Sequence, residues 1–175
     1  MAYELADLCA HANKALTTQT LHAALDEIAE RLRALLANPD FVAQTFDDET
    51  PIGKRTLYHD AQTDFYVFAH VQAPGKTGAP HSHGASWAIY GNASGCTEMT
   101  EYRRVNDPSE EASMLEKSDF YRLEAGQSRA YGPEVIHSTA HPQKAWVVRI
   151  TGTDLDHLPR FHFKKSRDRL VETTE

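Results

Sequence analysis

Cysteine is scarce in this chain: only Cys9 and Cys96 occur among 175 residues, too few for a disulfide scaffold. Both read as small buried hydrophobes. Excess positive charge is also missing. The formal charge is -7, and the one basic cluster, Lys164, Lys165, Arg167 and Arg169, lies near the C-terminus, so a nucleic-acid partner is not expected. No apolar run approaches the roughly 20 residues that span a bilayer, and the N-terminus lacks a basic segment followed by an unbroken apolar stretch. These absences lead us to expect a cytoplasmic protein with no membrane or nucleic-acid partner. What remains, 41% apolar and 25% charged residues, suffices for one globular domain with a real core.

The apolar pattern divides the chain. Leu21, Leu25, Ile28, Leu32 and Leu35 recur at spacings of four and three, a single helical stripe. Thr20 stands where a cap belongs, and Pro39 prevents continuation. Leu5, Leu8, Cys9, Ala12 and Leu16 form a shorter helix by the same logic. Residues 1–45 are therefore expected to be a helical segment packed on the rest of the chain. From residue 46 the texture turns to short runs of Tyr, Phe, Val, Thr and Trp between Gly, Pro and Asp, which predicts many antiparallel strands. Expected strands include Phe65 to Gln72, Ala79 to His83, Ser86 to Tyr90, Cys96 to Arg104, Phe120 to Leu123, Glu134 to Ala140, Ala145 to Thr151 and Phe161 to Phe163. Closure into a barrel or jelly roll over 46–163 removes exposed edges. Asn106 to Ser118 reads as a surface excursion, and 164–175 as a polar tail.

Against this background two of the ten histidines stand out. His81 and His83, two residues apart, project to one side if they lie on a strand. Gly75, Gly78 and Pro80 form a turn that delivers them to its mouth. His137, eleven residues after Gly126, supplies a third imidazole. Grouped imidazoles without a ligand would leave buried polar atoms unsatisfied at about 1–3 kcal/mol each. A shared metal ion removes that cost, and three protein ligands leave positions open for water or substrate. With no acidic ligand, the ion's charge is uncompensated, which favours a small anionic organic substrate. Arg149, if it faces inward, would clamp a carboxylate; alternation alone leaves both faces open to it. Glu98 and Glu101 fall on opposite faces of one strand, and we favour Glu98 for proton transfer. Tyr90 and Tyr102 are further hydrogen-bond donors. His141, four residues after His137, shares its face by strand parity. Trp87 and Trp146 read as barrel-lining bulk.

Gly75-x5-His81-x-His83, then Gly95, Gly126, Pro133 and His137, resembles the two-motif signature of the cupin superfamily over roughly residues 50–163. The resemblance implies a mainly β, jelly-roll-like barrel preceded by N-terminal α-helices, with a metal inside, and pairing into a homodimer. Trp87 and Ala88 stand where the first motif usually carries a glutamate ligand. That loss, with the run His81-Ser82-His83-Gly84-Ala85-Ser86-Trp87-Ala88-Ile89-Tyr90-Gly91, is most similar to the thiol dioxygenases, which include cysteine dioxygenase and 3-mercaptopropionate dioxygenase. This implies ferrous iron held by His81, His83 and His137; imidazole also accepts zinc, nickel and manganese. The Ser-x-His-x-Tyr run of that branch is replaced here by Val147, Arg149 and Thr151. Two alternatives stay open: a metal-dependent lyase on an aromatic carboxylate such as 4-hydroxylaminobenzoate, and a non-catalytic ligand-binding barrel.

Overall fold

The computed structural model describes residues 2–107 and 113–158, and the backbone of 161–166 and 169–174. Three helices come first: α1 (Leu5–Thr18), α2 (Leu21–Leu36) and α3 (Pro39–Thr45). Of the stripe expected on α2, Leu25, Ile28, Leu32 and Leu35 are buried, whereas Leu21 in the first turn is exposed. Thr20 does flank α2, but its side chain makes no capping hydrogen bond. Pro39 stops α2 and also starts α3, a helix that apolar periodicity did not anticipate. Its fixed φ suits the first helical turn, and the Asn38 side chain accepts from the Asp40 amide at 3.0 Å.

The strands are β1 (Gly53–His59), β2 (Tyr66–Gln72), β3 (Lys76–Thr77), β4 (Ala88–Ser94), β5 (Thr97–Arg104), β6 (Leu115–Leu123), β7 (Ser128–Tyr131), β8 (Ile136–His141) and β9 (Ala145–Thr151). They form a five-stranded sheet, β1-β2-β9-β4-β7, and a four-stranded sheet, β3-β8-β5-β6. Every pairing in both is antiparallel. The mainly β, jelly-roll-like architecture with N-terminal helices is as expected. Strand structure continues past Phe163: β10 (Phe161–Ser166) and β11 (Arg169–Thr174) pair as an antiparallel hairpin that takes in most of the polar 164–175 stretch. Of the expected excursion from 106 to 118, residues 115–118 belong to β6, and 108–112 lie outside the described residues. Among the described residues no helix is long and apolar enough to cross a membrane.

Two apolar layers hold these elements together. One lies between the helices and the outer face of the five-stranded sheet, where Val67, Ala69, Val71, Val148 and Ile150 meet α1 and α2. The other fills the space between the sheets with Tyr90, Met99, Leu123, Tyr131 and Val147. A central strand such as β2 is therefore buried on both faces, which explains its nearly unbroken apolar text. Cys9 and Cys96 are buried and unpaired, as expected.

Gly91 is where α2 comes closest to the sheet. A Cβ there would lie 2.6 Å from Leu32 Cδ2 and 2.8 Å from Leu36 Cδ1, and both leucines are buried with little room to yield. Replacing Gly91 with valine is expected to cost about 1–3 kcal/mol through overpacking. A lowered urea midpoint at unchanged m-value would show it; an unchanged midpoint would contradict the close approach.

Candidate metal centre and its cavity

His81 and His83 sit in the loop after β3, not on the strand expected from Ala79 to His83. His81 meets β8 in an isolated antiparallel bridge to His137. That bridge is reciprocal: the His81 amide donates to the His137 carbonyl at 2.9 Å and the His137 amide returns the bond to the His81 carbonyl at 2.9 Å. His83 then enters a turn in which Gly84 adopts φ 56°, left-handed backbone that glycine accepts readily. The two imidazoles thus share a side through a folded loop rather than through strand alternation.

The donor atoms of His81, His83 and His137 all lie within 4.8 Å of one another, the one group of three or more potential ligands found among the described residues. His83 and His137 are almost wholly buried. The Nδ1–H of His81 donates to the Ala79 carbonyl at 3.0 Å, and that of His137 to the Val135 carbonyl at 3.2 Å. This pattern holds the proton on Nδ1 and leaves Nε2 as a lone pair, as imidazole ligation of a metal requires. Burial, reinforced by His81, depresses the His137 pKa to about 3, so it stays a neutral donor. An imidazole-binding divalent ion therefore fits these residues.

Aromatic side chains buttress the group. The Tyr131 ring stacks on His137 at 4.7 Å between centroids. The Tyr131 hydroxyl meets that of Tyr121, which donates to Glu101 at 2.7 Å, itself held by Arg129 at 3.2 Å. Burial raises the pKa of both phenols, keeping them protonated. The Tyr90 hydroxyl lies 3.4 Å from Nε2 of both His83 and His137.

Beside the histidines a cavity of about 430 Å³ opens between the sheets, lined by His81, Tyr90, Lys54, His70, Lys76, His141 and Arg149. Its size is that of small-molecule sites. Arg149 faces inward, because its register partners Phe68 and Tyr90 share its face. Its guanidinium carbon lies 5.8 Å from the Phe68 ring and 6.0 Å from that of Tyr90. His141 lines the same cavity on the face of His137, as parity predicted, with Nδ1 3.3 Å from Thr97 Oγ1. Burial and then Lys76 lower its pKa to about 4.

Glu98 is not brought to the site. Its register partner Arg122 lies across from it on the outer face, 3.9 Å away, whereas Glu101 pairs with His137 and joins the tyrosine network. The preference for Glu98 over Glu101 is therefore corrected by register, which periodicity cannot supply. Trp87 and Trp146 do not line the barrel either. Both face the helices, Trp87 against Gly152 and Trp146 stacked on Phe46 at 5.5 Å.

His70, Lys54 and Lys76 were missed as cavity residues. The available signal was weak: His70 alternates with Val67, Ala69 and Val71, so it shares a face with Phe68. Burial, then Arg149, Lys54 and Lys76, lowers the His70 pKa to about 2. The unfolded chain takes up this proton below pH 6.5 while the folded chain does not, so its contribution is complete above 6.5 and is lost progressively as pH falls from there toward 2. Between pH 7 and 5.5 the wild type should lose about 1 kcal/mol on this account. Urea unfolding of wild type and His70→Gln at both pH values tests it; parallel losses would refute it.

No protein-family model and no curated protein matches this chain. Solved structures similar in fold include a cupin superfamily protein from Desulfitobacterium hafniense, at 13% identity and TM-score 0.46 over 64% of this chain and 86% of that one. KdgF from a Halomonas species shows 17% identity and TM-score 0.46, over 65% and 91%. An oxalate oxidase in complex with the substrate analogue glycolate shows 15% and 0.44, over 67% and 60%.

Proposed function

We propose that His81, His83 and His137 hold one divalent ion, ferrous iron, and that the chain is an oxygenase acting on a small organic anion, with thiol-bearing carboxylates as the leading substrate class. The observation that carries this reading is the convergence of three imidazoles, with no acidic residue among them, beside a cavity walled by Lys54, Lys76 and Arg149. Such an ion, when bound, supplies Lewis-acid and one-electron chemistry at the open positions.

The chain's own residues supply orientation. Arg149 offers a planar fork for a carboxylate. The Tyr90 hydroxyl, within reach of two triad nitrogens, can hold a proton or donate to a substrate atom placed there. Tyr131 fixes the His137 ring from behind, and Val135 fixes its tautomer. His141 is the candidate base on the cavity wall.

One observation favours a second reading. Phe68 and Tyr90 flank Arg149, which suits an aromatic carboxylate such as 4-hydroxylaminobenzoate and a lyase releasing ammonia. Iron-reconstituted protein would be incubated with cysteine or 3-mercaptopropionate and, separately, with 4-hydroxylaminobenzoate. Thiol-dependent oxygen uptake supports the first reading, and ammonia release without oxygen supports the second. Binding without turnover across both panels would leave a ligand-binding barrel. Elemental analysis of the purified protein identifies the ion among iron, zinc, nickel and manganese.

A further inference from the structure

The cavity wall carries more positive charge than one carboxylate can answer. Lys54 is already matched: it pairs with Asp156 and lies 3.6 Å from Asp154. Lys76 is different, since it donates only to the neutral Gln72 amide oxygen, at 3.1 Å. The guanidinium of Arg149 lies beside aromatic rings. Asp156 is the one carboxylate that lines this cavity, and it is taken by Lys54; among the described residues neither Lys76 nor Arg149 makes an ion pair, although the chain as a whole carries -7.

Two buried polar atoms on the same wall are also without a partner among the described residues: Nε2 of His70, whose side chain belongs to a residue only 8% exposed, and Nε of Arg149. They come from neighbouring strands, since β2 and β9 pair His70 with Val147 and Phe68 with Arg149. Tyr90 spans the distance from this pair to the histidine group, with its ring beside the guanidinium and its hydroxyl on two triad nitrogens. A ligand with a single anionic group at either end leaves the other end unanswered.

We propose that the cavity binds a small dicarboxylate, one carboxylate directed toward His81, His83 and His137 and the other seated against Arg149, Lys76 and Nε2 of His70. The inference rests on the reading of the triad as an ion site and extends it by naming the far end of the ligand and its recognition residues. Arg149 supplies the bidentate fork that suits a planar carboxylate better than a point charge would. His70, kept neutral by burial and by the surrounding cations, contributes a hydrogen bond without adding charge. With Arg149 it determines specificity, because both distinguish a ligand that reaches the far wall from one that does not.

Calorimetric titration of zinc-loaded full-length protein tests this, zinc being redox-inert. Succinate and glutarate would be compared with butyrate and valerate, which match their carbon counts but lack the second carboxylate. The dicarboxylates should bind about tenfold or more tightly. Arg149→Met should remove the preference. His70→Leu should weaken dicarboxylates about tenfold while leaving zinc content unchanged, and His70→Gln, which keeps a side-chain donor, should restore most of the loss. Equal binding of mono- and dicarboxylates, or a His70→Leu variant that binds succinate like wild type, overturns the proposal. Zinc content, measured on the same samples, reports on the triad reading separately. Protein that takes up no zinc refutes that reading, whereas zinc-replete protein with no dicarboxylate preference refutes only this one.

Discussion

Alanine in place of His81 should empty the metal centre while leaving the barrel standing. His81 is the least buried of the three donors and is joined to β8 by a reciprocal main-chain bridge, which alanine preserves. Loss of an outer-shell partner alone lowers metal affinity by roughly 10–100-fold, so loss of a donor atom should exceed that. Protein prepared with iron or zinc is expected to fall from about one ion per chain to less than a tenth of one, with far-UV circular dichroism unchanged and turnover lost. The same result is expected of His83→Gln, which removes a donor from the buried side. A His81→Ala protein that retains one ion per chain would end the assignment of the triad, and with it the functional reading.

Arg149→Met carries the second large effect, and its two consequences have opposite signs. Truncating one member of a buried charged pair with a ligand typically costs about 2–5 kcal/mol, so KM for an anionic substrate should rise by ~30-fold or more with ion content intact. The unliganded fold should gain, because methionine keeps the volume and packing against Phe68 and Tyr90 while removing a guanidinium whose Nε has no partner among the described residues. A gain of about 1 kcal/mol would raise Tm by ~2–4 °C at this chain length. Thermal melts and steady-state kinetics on one preparation would read both. Unchanged KM with lowered Tm would mean that Arg149 is a structural cation.

Periodicity and spacing carried much of this molecule. The stripe from Leu25 to Leu35 marked α2 because a helix buries one face, and Phe65 to Gln72 marked β2 because a strand buried on both faces leaves a continuous apolar run. The three histidines were legible because grouped imidazoles are rare and chemically demanding. Facing was not. Arg149 turns inward because it lies across from Phe68 and Tyr90, Glu98 turns outward with Arg122, and Trp87 and Trp146 belong to the helix layer; each outcome comes from inter-strand register, which one strand's text does not contain. Lys54, His70 and Lys76 come from three different strands and meet only after the sheets close. Pro39 was read as a stop alone, although proline at a first helical turn also serves as a start.

The mutual main-chain bonds between His81 and His137 give the centre a property that its ligand set does not. Two of three donors are stapled to each other by polypeptide, so the ion is a lodger rather than a keystone. A single batch of protein could be stripped by chelator and refilled with iron, zinc, nickel or manganese in succession without refolding. Differences in reactivity between those fillings would then belong to the metals, measured on one unchanging scaffold.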